Sequence, residues 1–128
     1  MKLHRQGTVA FGVGLVLFSA PLLVAPRFFG RLGGITVSDE STASVVRSVA
    51  ARDLVMGVGL IAAARPRSAA RLAPWLLMRL LCDGADVVAI AIAFRRRGGN
   101  ARLGGLGLVA AAATAYDLLM LRLARADR

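Results

Sequence analysis

The sequence predicts an all-α polytopic membrane protein, an antiparallel bundle of four transmembrane helices in a single membrane domain spanning residues 1–128. Three observations predict it. Hydrophobic residues make up 57% of the chain and the mean hydropathy is +0.65, well above the mix of a soluble globule. The apolar residues gather into four runs, each long enough to cross ~30 Å of hydrocarbon as a helix. Most of the charge lies between those runs. One Lys and sixteen Arg oppose seven acids, and Arg27, Arg31, Arg65, Arg67, Arg71, Arg95, Arg96, Arg97 and Arg102 flank apolar segments, where cations meet lipid headgroups.

The first span is predicted over residues 8–26 (TVAFGVGLVLFSAPLLVAP), an uncharged run preceded by Lys2 and Arg5 and followed by Arg27. A signal peptide has a similar basic start. Phe18 stands two residues before Ala20 and Leu23 two before Ala25, so neither offers a small-x-small cleavage site and the segment is read as part of the mature chain. The stretch PRFFGRLGGITVSDEST then reads as a surface loop, with Ser41 or Thr42 placed to cap the next helix. The second span is predicted over 43–64 and the third over 70–94, with RPRSA between them. The fourth, over 103–124, follows the turn RRRGGNAR, which is polar and rich in turn formers. Short connectors make the bundle up-and-down.

FGVGLVLFSAP at 11–21 is echoed by MGVGLIAAARP at 56–66, sharing G-x-G-L and a proline at one offset. In antiparallel neighbours the two glycine pairs fall at one depth, where small residues let helices approach closely. Gly107, Ala111 and Ala115 form a similar stripe on the fourth span. Eight basic residues (Lys2, Arg5, Arg65, Arg67, Arg71, Arg122, Arg125, Arg128) lie on the side where the chain enters. Seven (Arg27, Arg31, Arg47, Arg95, Arg96, Arg97, Arg102) lie on the other. The small excess places both termini in the cytoplasm and the protein in the cytoplasmic (inner) membrane.

Composition also excludes. Nucleic-acid binding would explain an isoelectric point near 11.8, but it calls for stacking aromatics, and these are 5% of the chain. A single cysteine, Cys82, permits no internal disulfide or multi-thiolate zinc site, and the only histidine, His4, lies in the N-terminal flank. Neither a metal nor a cofactor is expected.

Four of the seven acids fall within predicted spans: Asp53, Asp83, Asp86 and Asp117. Arg52 and Arg79 join them. A charge at a helix centre costs ~2.5–3.5 kcal/mol on insertion scales, whereas a Leu, Ile, Val or Phe returns only ~0.3–0.6. The third span carries three charges, a cost of roughly 8–10 kcal/mol against ~5 recovered, so its polar face must find partners inside the bundle. Arg79, Asp83 and Asp86 stand at i, i+4 and i+7 and share that face, with Cys82 at its edge. At ~1.5 Å per residue, Arg52 and Asp53 are level with Asp83 and Asp86, and Arg79 is level with Tyr116 and Asp117. The expected pairings are Arg52 with Asp83 or Asp86, and Arg79 with Asp117, against an apolar wall from the uncharged first span. Two arginines leave two carboxylates over. Arg47, near the interface, is placed to compensate one, and at least one carboxyl is expected to be protonated at neutral pH.

The motif R-x-x-A-x-R-D-x-x-x-G-x-G-L over 47–60, the P-R-F-F-G after the first span, and D-x-x-D from Asp83 to Asp86 also resemble a family of small four-helix integral membrane proteins of unassigned function, and more loosely the DoxX-like proteins. The likeness covers most of the chain and implies the fold more than an activity. The family often has a histidine before its last helix, and RRRGGNAR has none.

Three functions compete. The first is acid–base chemistry on a lipophilic small molecule in the bilayer: epoxide opening or hydrolysis, cyclisation, or double-bond isomerisation. Asp53 or Asp83 activates water, a neutral Asp86 protonates the leaving oxygen, Arg52 and Arg79 orient them, and Tyr116, Asp117, Arg47 and Cys82 complete the binding pocket. The residue types are similar to those of limonene-epoxide-hydrolase-like sites, without shared spacing. The second is a non-catalytic DoxX-like accessory subunit of a membrane complex, whose ion pairs only fix helix register. The third is a proton-coupled small transporter working as a homodimer. Small multidrug carriers use a glutamate in their first helix, and the first span here is uncharged. Asp83-x-x-Asp86 is similar to magnesium-binding aspartate motifs, but no second motif accompanies it. Cys82, with no histidine at its depth, is a poor catalytic thiol and more often a small core residue.

Overall fold

The structure, a computed structural model, describes residues 2–65, 69–98 and 101–126. Most of the RPRSA connector and the centre of RRRGGNAR lie outside the described residues, as do Arg67 and Arg128. The described residues form α1 (Lys2–Val24), α2 (Pro26–Leu32), α3 (Glu40–Ala63), α4 (Ala69–Arg97) and α5 (Ala101–Ala126), with no strand among them. The four long helices match the four predicted spans in place and exceed them at both ends, except that α1 stops two residues short of its predicted end and α3 one residue short. The hydrogen-bonded ladder runs on past the apolar stretch into the charged flanks.

The predicted loop after the first span is half helix. Pro26 occupies the first turn of α2, where its missing N–H costs nothing and its fixed φ suits the helix. The helix stops at Gly33 and the chain turns back through Gly34, whose φ of 77° lies in the left-handed region that glycine tolerates. Ile35 N–H then donates to the Gly30 carbonyl at 2.9 Å. This reversal tucks Val37 under Ala43 and Val46 of α3, beside Leu22 of α1. Asp39, rather than Ser41 or Thr42, caps α3: its Oδ1 accepts from the Thr42 N–H at 2.8 Å.

Contacts along each seam show how the helices run. Arg5 of α1 donates to the Ala64 carbonyl at the end of α3, Gly12 faces Gly57, and Arg47 donates to the Leu23 carbonyl, so α1 and α3 are antiparallel. Trp75 of α4 lies over Gly59 of α3, and Ile90 and Phe94 of α4 lie on Gly107 and Gly104 of α5, which makes both of those seams antiparallel as well. Phe11 and Tyr116 stack with ring centroids 4.9 Å apart and close the ring between α1 and α5. The α1–α3 and α4–α5 seams are broad, while α3 meets α4, and α1 meets α5, over far less of their length.

The closest seam is α1–α3. A Cβ on Gly57 would stand 2.7 Å from the Gly12 carbonyl oxygen, and one on Gly12 would stand 2.8 Å from that of Gly57. Gly14, by contrast, faces open space, so one glycine of the first G-x-G pair does the packing. On α5 only Gly107 of the expected small stripe packs. Ala111 and Ala115 are exposed.

The main apolar core unites Leu15, Leu60, Leu72, Leu76, Met120 and Leu121 from all four long helices, near the end where α1 begins. Outside, the surface is apolar too. Leu17 and Phe18 of α1, Val45 and Val55 of α3, Leu81 and Val88 of α4, and Leu108 and Val109 of α5 are exposed. Two helices, over residues 5–24 and 101–125, are long and apolar enough to cross a membrane. Charge keeps α3 and α4 from meeting the same measure.

Candidate functional site

The face of α4 that carries Arg79, Asp83 and Asp86 turns inward, as three charges at i, i+4 and i+7 on an apolar helix require. Arg79 is its centre. The guanidinium is 4% exposed, donates from Nη2 to Asp83 Oδ2 at 2.6 Å, and lies 3.6 Å from Asp53 Oδ1 and 3.7 Å from Asp117 Oδ2. Three helices thus bring carboxyls to one arginine: Asp53 from α3, Asp83 from α4 and Asp117 from α5. The fourth helix supplies an aromatic face, with the Arg79 guanidinium carbon 5.1 Å from the Phe11 ring centroid.

A second arginine continues the chain of charges outward. Arg52 grips Asp86 with both terminal nitrogens, at 3.2 Å and 2.6 Å, and also bonds Asp53 Oδ1 from Nε and Nη2 at 3.1 Å and 3.0 Å. Asp53 Oδ1 is therefore shared by the two arginines. Exposure rises along this chain: the Asp117 side chain is 0% exposed and that of Asp86 33%. The polar cluster reaches the surface at the thin α3–α4 seam, near the middle of both helices.

The expected Arg52–Asp86 and Arg79–Asp117 neighbours are both present, but Arg79 gives its short hydrogen bond to Asp83, one turn along its own helix. Its Nε and Nη1 donate no hydrogen bond, and neither oxygen of Asp117 accepts one from a nitrogen donor. Asp83 and Asp117 both stand beside Arg79, 2.6 Å and 3.7 Å from its guanidinium nitrogens.

Two assigned roles change. Both oxygens of Asp86 accept from the Arg52 guanidinium, so the structure holds it as the acceptor of a bidentate pair rather than as the donor expected. Arg47 is not in the cluster. It pairs with Glu40 two turns back and with the Leu23 carbonyl, at the far end of α3. Cys82 is half-buried, with a free thiol. Tyr116 sits beside Asp117 but turns its ring to Phe11 and its hydroxyl towards Gly7. Phe11 is the site residue the sequence did not single out, because an uncharged helix shows no polar face from which to read its rotation.

Among the described residues no three His, Cys, Asp or Glu side chains converge as ligands for a metal ion, since arginines separate the aspartates. Two open clefts lie at the helix ends. One, of about 490 Å³, is lined by Arg31, Gly34, Ile35, Thr36, Ala101 and Arg102, and the other, of about 420 Å³, by Arg5, Gln6, Val9, Ala10 and Ala64.

Comparison with known families, with curated proteins and with solved structures finds no match to this chain. Its function is therefore argued from the geometry of the charged cluster.

Proposed function

We propose that the chain is a four-span protein of the cytoplasmic membrane whose Asp/Arg cluster performs acid–base chemistry on a lipophilic small molecule. The four-span part is supported by an inverted distribution. In α3 and α4, the two helices with too much charge to qualify on hydropathy, Asp83 and Arg79 are buried while Val45, Val55, Leu81 and Val88 are exposed. Burying charge and exposing valine is unfavourable in water and favourable in hydrocarbon.

The observation that carries the chemistry is the loose pairing at the centre: the Nε and Nη1 of buried Arg79 stand 3.7 Å from Asp117 and 3.6 Å from Asp53, at ion-pair distance but without a hydrogen bond, and buried Asp117 accepts none from a nitrogen. A purely structural ion-pair core gains by satisfying such groups, because each one left over costs free energy. Four carboxyls around two arginines also call for a proton, and we place it between Asp83 and Asp117, which share Arg79. In an epoxide opening, the Asp53 carboxylate takes a proton from water as the water oxygen bonds to carbon. The ring C–O bond breaks and its oxygen receives the proton held between Asp83 and Asp117. The proton on Asp53 then returns to that pair. Arg79 holds all three carboxyls in place, Arg52 anchors Asp53 from the other side, and the substrate reaches them along the thin seam beside Arg52 and Asp86. Cyclisation and double-bond isomerisation use the same donor and acceptor without the water.

The test offers the full chain in lipid nanodiscs a panel of terpene epoxides in ¹⁸O-labelled water. Labelled diol should form with the wild type and fall at least a hundredfold in Asp117→Asn, whose amide keeps the shape, with melting of the variant followed alongside. A well-folded Asp117→Asn indistinguishable from wild type across the panel overturns the reading. A second reading, an accessory subunit whose cluster sets helix register, is favoured by the position of both clefts away from the charges. It predicts a variant that loses folding rather than turnover.

A further inference from the structure

We propose that the cleft between α2 and the start of α5 binds a phosphate-bearing anion, the headgroup of an anionic phospholipid, through Arg31 and Arg102. The inference rests on the four-span reading for the source of the phosphate but not for the arginine pair itself. At this end of the molecule the described acids are already committed. Glu40 takes Arg27 and Arg47, and Asp39 takes Ser38 and the first turn of α3. Arg31 and Arg102 have no carboxylate partner among the described residues. They come from segments 71 residues apart and are held together, since Arg102 Nη1 donates to the Arg31 carbonyl at 3.4 Å. Between them and the turn of Gly34, Ile35 and Thr36 lies a cleft of about 490 Å³, within the usual range for small-molecule sites.

Each wall suits one part of such a ligand. Two guanidinium forks match phosphate oxygens, the Thr36 hydroxyl can donate to an ester or glycerol oxygen, and Ile35 meets the first carbons of the acyl region. The cleft stands where two predicted spans end, at the depth of phosphate groups, and its uncompensated positive charge selects an anionic lipid over a zwitterionic one. Arg95 and Arg96, also near this end, do not line it, so general attraction to a charged surface and occupation of the cleft are separable.

Native mass spectrometry of the full chain supplies the test, reading the lipid retained after incubation with phosphatidylglycerol, with phosphatidylcholine, or with inorganic phosphate. The double substitution Arg31→Gln with Arg102→Gln should weaken phosphatidylglycerol retention at least tenfold. Arg95→Gln with Arg96→Gln, which removes the same charge, should leave it within twofold. Thr36→Trp, which fills the cleft and keeps both arginines, should also abolish retention. Equal loss in the two arginine pairs, or full retention by Thr36→Trp, overturns the proposal. Inorganic phosphate bound as tightly as the lipid, and lost in the same variants, keeps the site and makes the free anion its ligand. A chain that alkaline carbonate strips from vesicles fails the four-span reading alone, because the inorganic-phosphate arm still reports on the arginine pair.

Discussion

Helix α3 has two neighbours that hold it in opposite ways. Against α1 it packs backbone to backbone, Gly12 on Gly57, with charge only at the two ends of the seam, where Arg5 and Arg47 donate to backbone carbonyls. Against α4 it touches over a short length and is held by Arg52 on Asp86 and by Arg79 near Asp53. Close packing and polar contact are two separate sources of attraction between helices. This molecule assigns one to each side of α3. The glycine seam tolerates no added atom and therefore no rearrangement. The charged seam is thin and offers several partners to each group, and it is the side proposed above for access to the carboxyls.

The largest effect is expected at the centre of the charged seam. Arg79→Ala would leave Asp53, Asp83 and Asp117 without their shared cation, and breaking a buried pair in this way costs about 3–5 kcal/mol. Unfolding followed by circular dichroism in mixed micelles should show most of the protein's stability gone. A loss under about 1 kcal/mol would mean that the seam is held by packing after all, and the contrast with α1 would collapse.

Next comes the glycine seam. Gly57→Leu drives a side chain into the Gly12 carbonyl and the Leu15 and Val16 side chains, an overpacking worth about 2–3 kcal/mol. Gly14→Ala, two residues from that contact on the opposite face of α1 and facing nothing within 4 Å, should be neutral or stabilise α1 by about 0.5 kcal/mol. If the two substitutions cost the same in the same assay, the G-x-G pair is a consequence of composition and not a packing device.

The outer ion pair should matter less, because both partners are about a third exposed. A double-mutant cycle on Arg52→Gln and Asp86→Asn should return a coupling of about 1 kcal/mol, nearer to a surface pair than to a buried one. A coupling as large as the loss on removing Arg79 would place the pair in a dry interface and close the route proposed for the substrate.

What the sequence made legible follows from the same contrast. Long apolar runs place the four helices, and charge inside an apolar run shows that a face turns inward. Depth along antiparallel helices was enough to bring Arg52 to Asp86, because long-range partners must be level. It does not rank level partners against local ones: Arg79 does stand 3.7 Å from Asp117, but its short hydrogen bond goes to Asp83, one turn away at i+4. Charge balance alone draws Arg47 towards the cluster, whereas Glu40, two turns before it, takes it. Helix α2 was hidden by its own punctuation: Pro26 and Gly33 read as loop residues, yet one starts a helix and the other ends it. The rotation of α1, and with it Phe11 and the choice of Gly12 over Gly14, leaves no mark in an uncharged sequence.

The smallest effect tests whether the polar contacts at the loop end of α3 belong with the charged seam at all. The Thr42 N–H and the Ser38 and Thr42 hydroxyls hold the Asp39 carboxyl below its ordinary value of 3.8, and Arg47 does the same for Glu40 from 4.5. A carboxylate whose folded value is depressed contributes stability that is complete above its unfolded value and disappears as the pH falls through the folded one. Wild type should therefore be level from pH 7 to about 5 in this respect and lose a small increment below pH 4, when the cap and the Glu40 pair are protonated. Asp39→Ala should lower the melting temperature by a few degrees at pH 7, and the difference from wild type should shrink below pH 4. Both acids are exposed and both partners local, so the pH dependence should survive Gly57→Leu unchanged. A variant that abolishes it would tie the cap to the α1–α3 packing instead, and the loop end would then belong to the rigid side of α3.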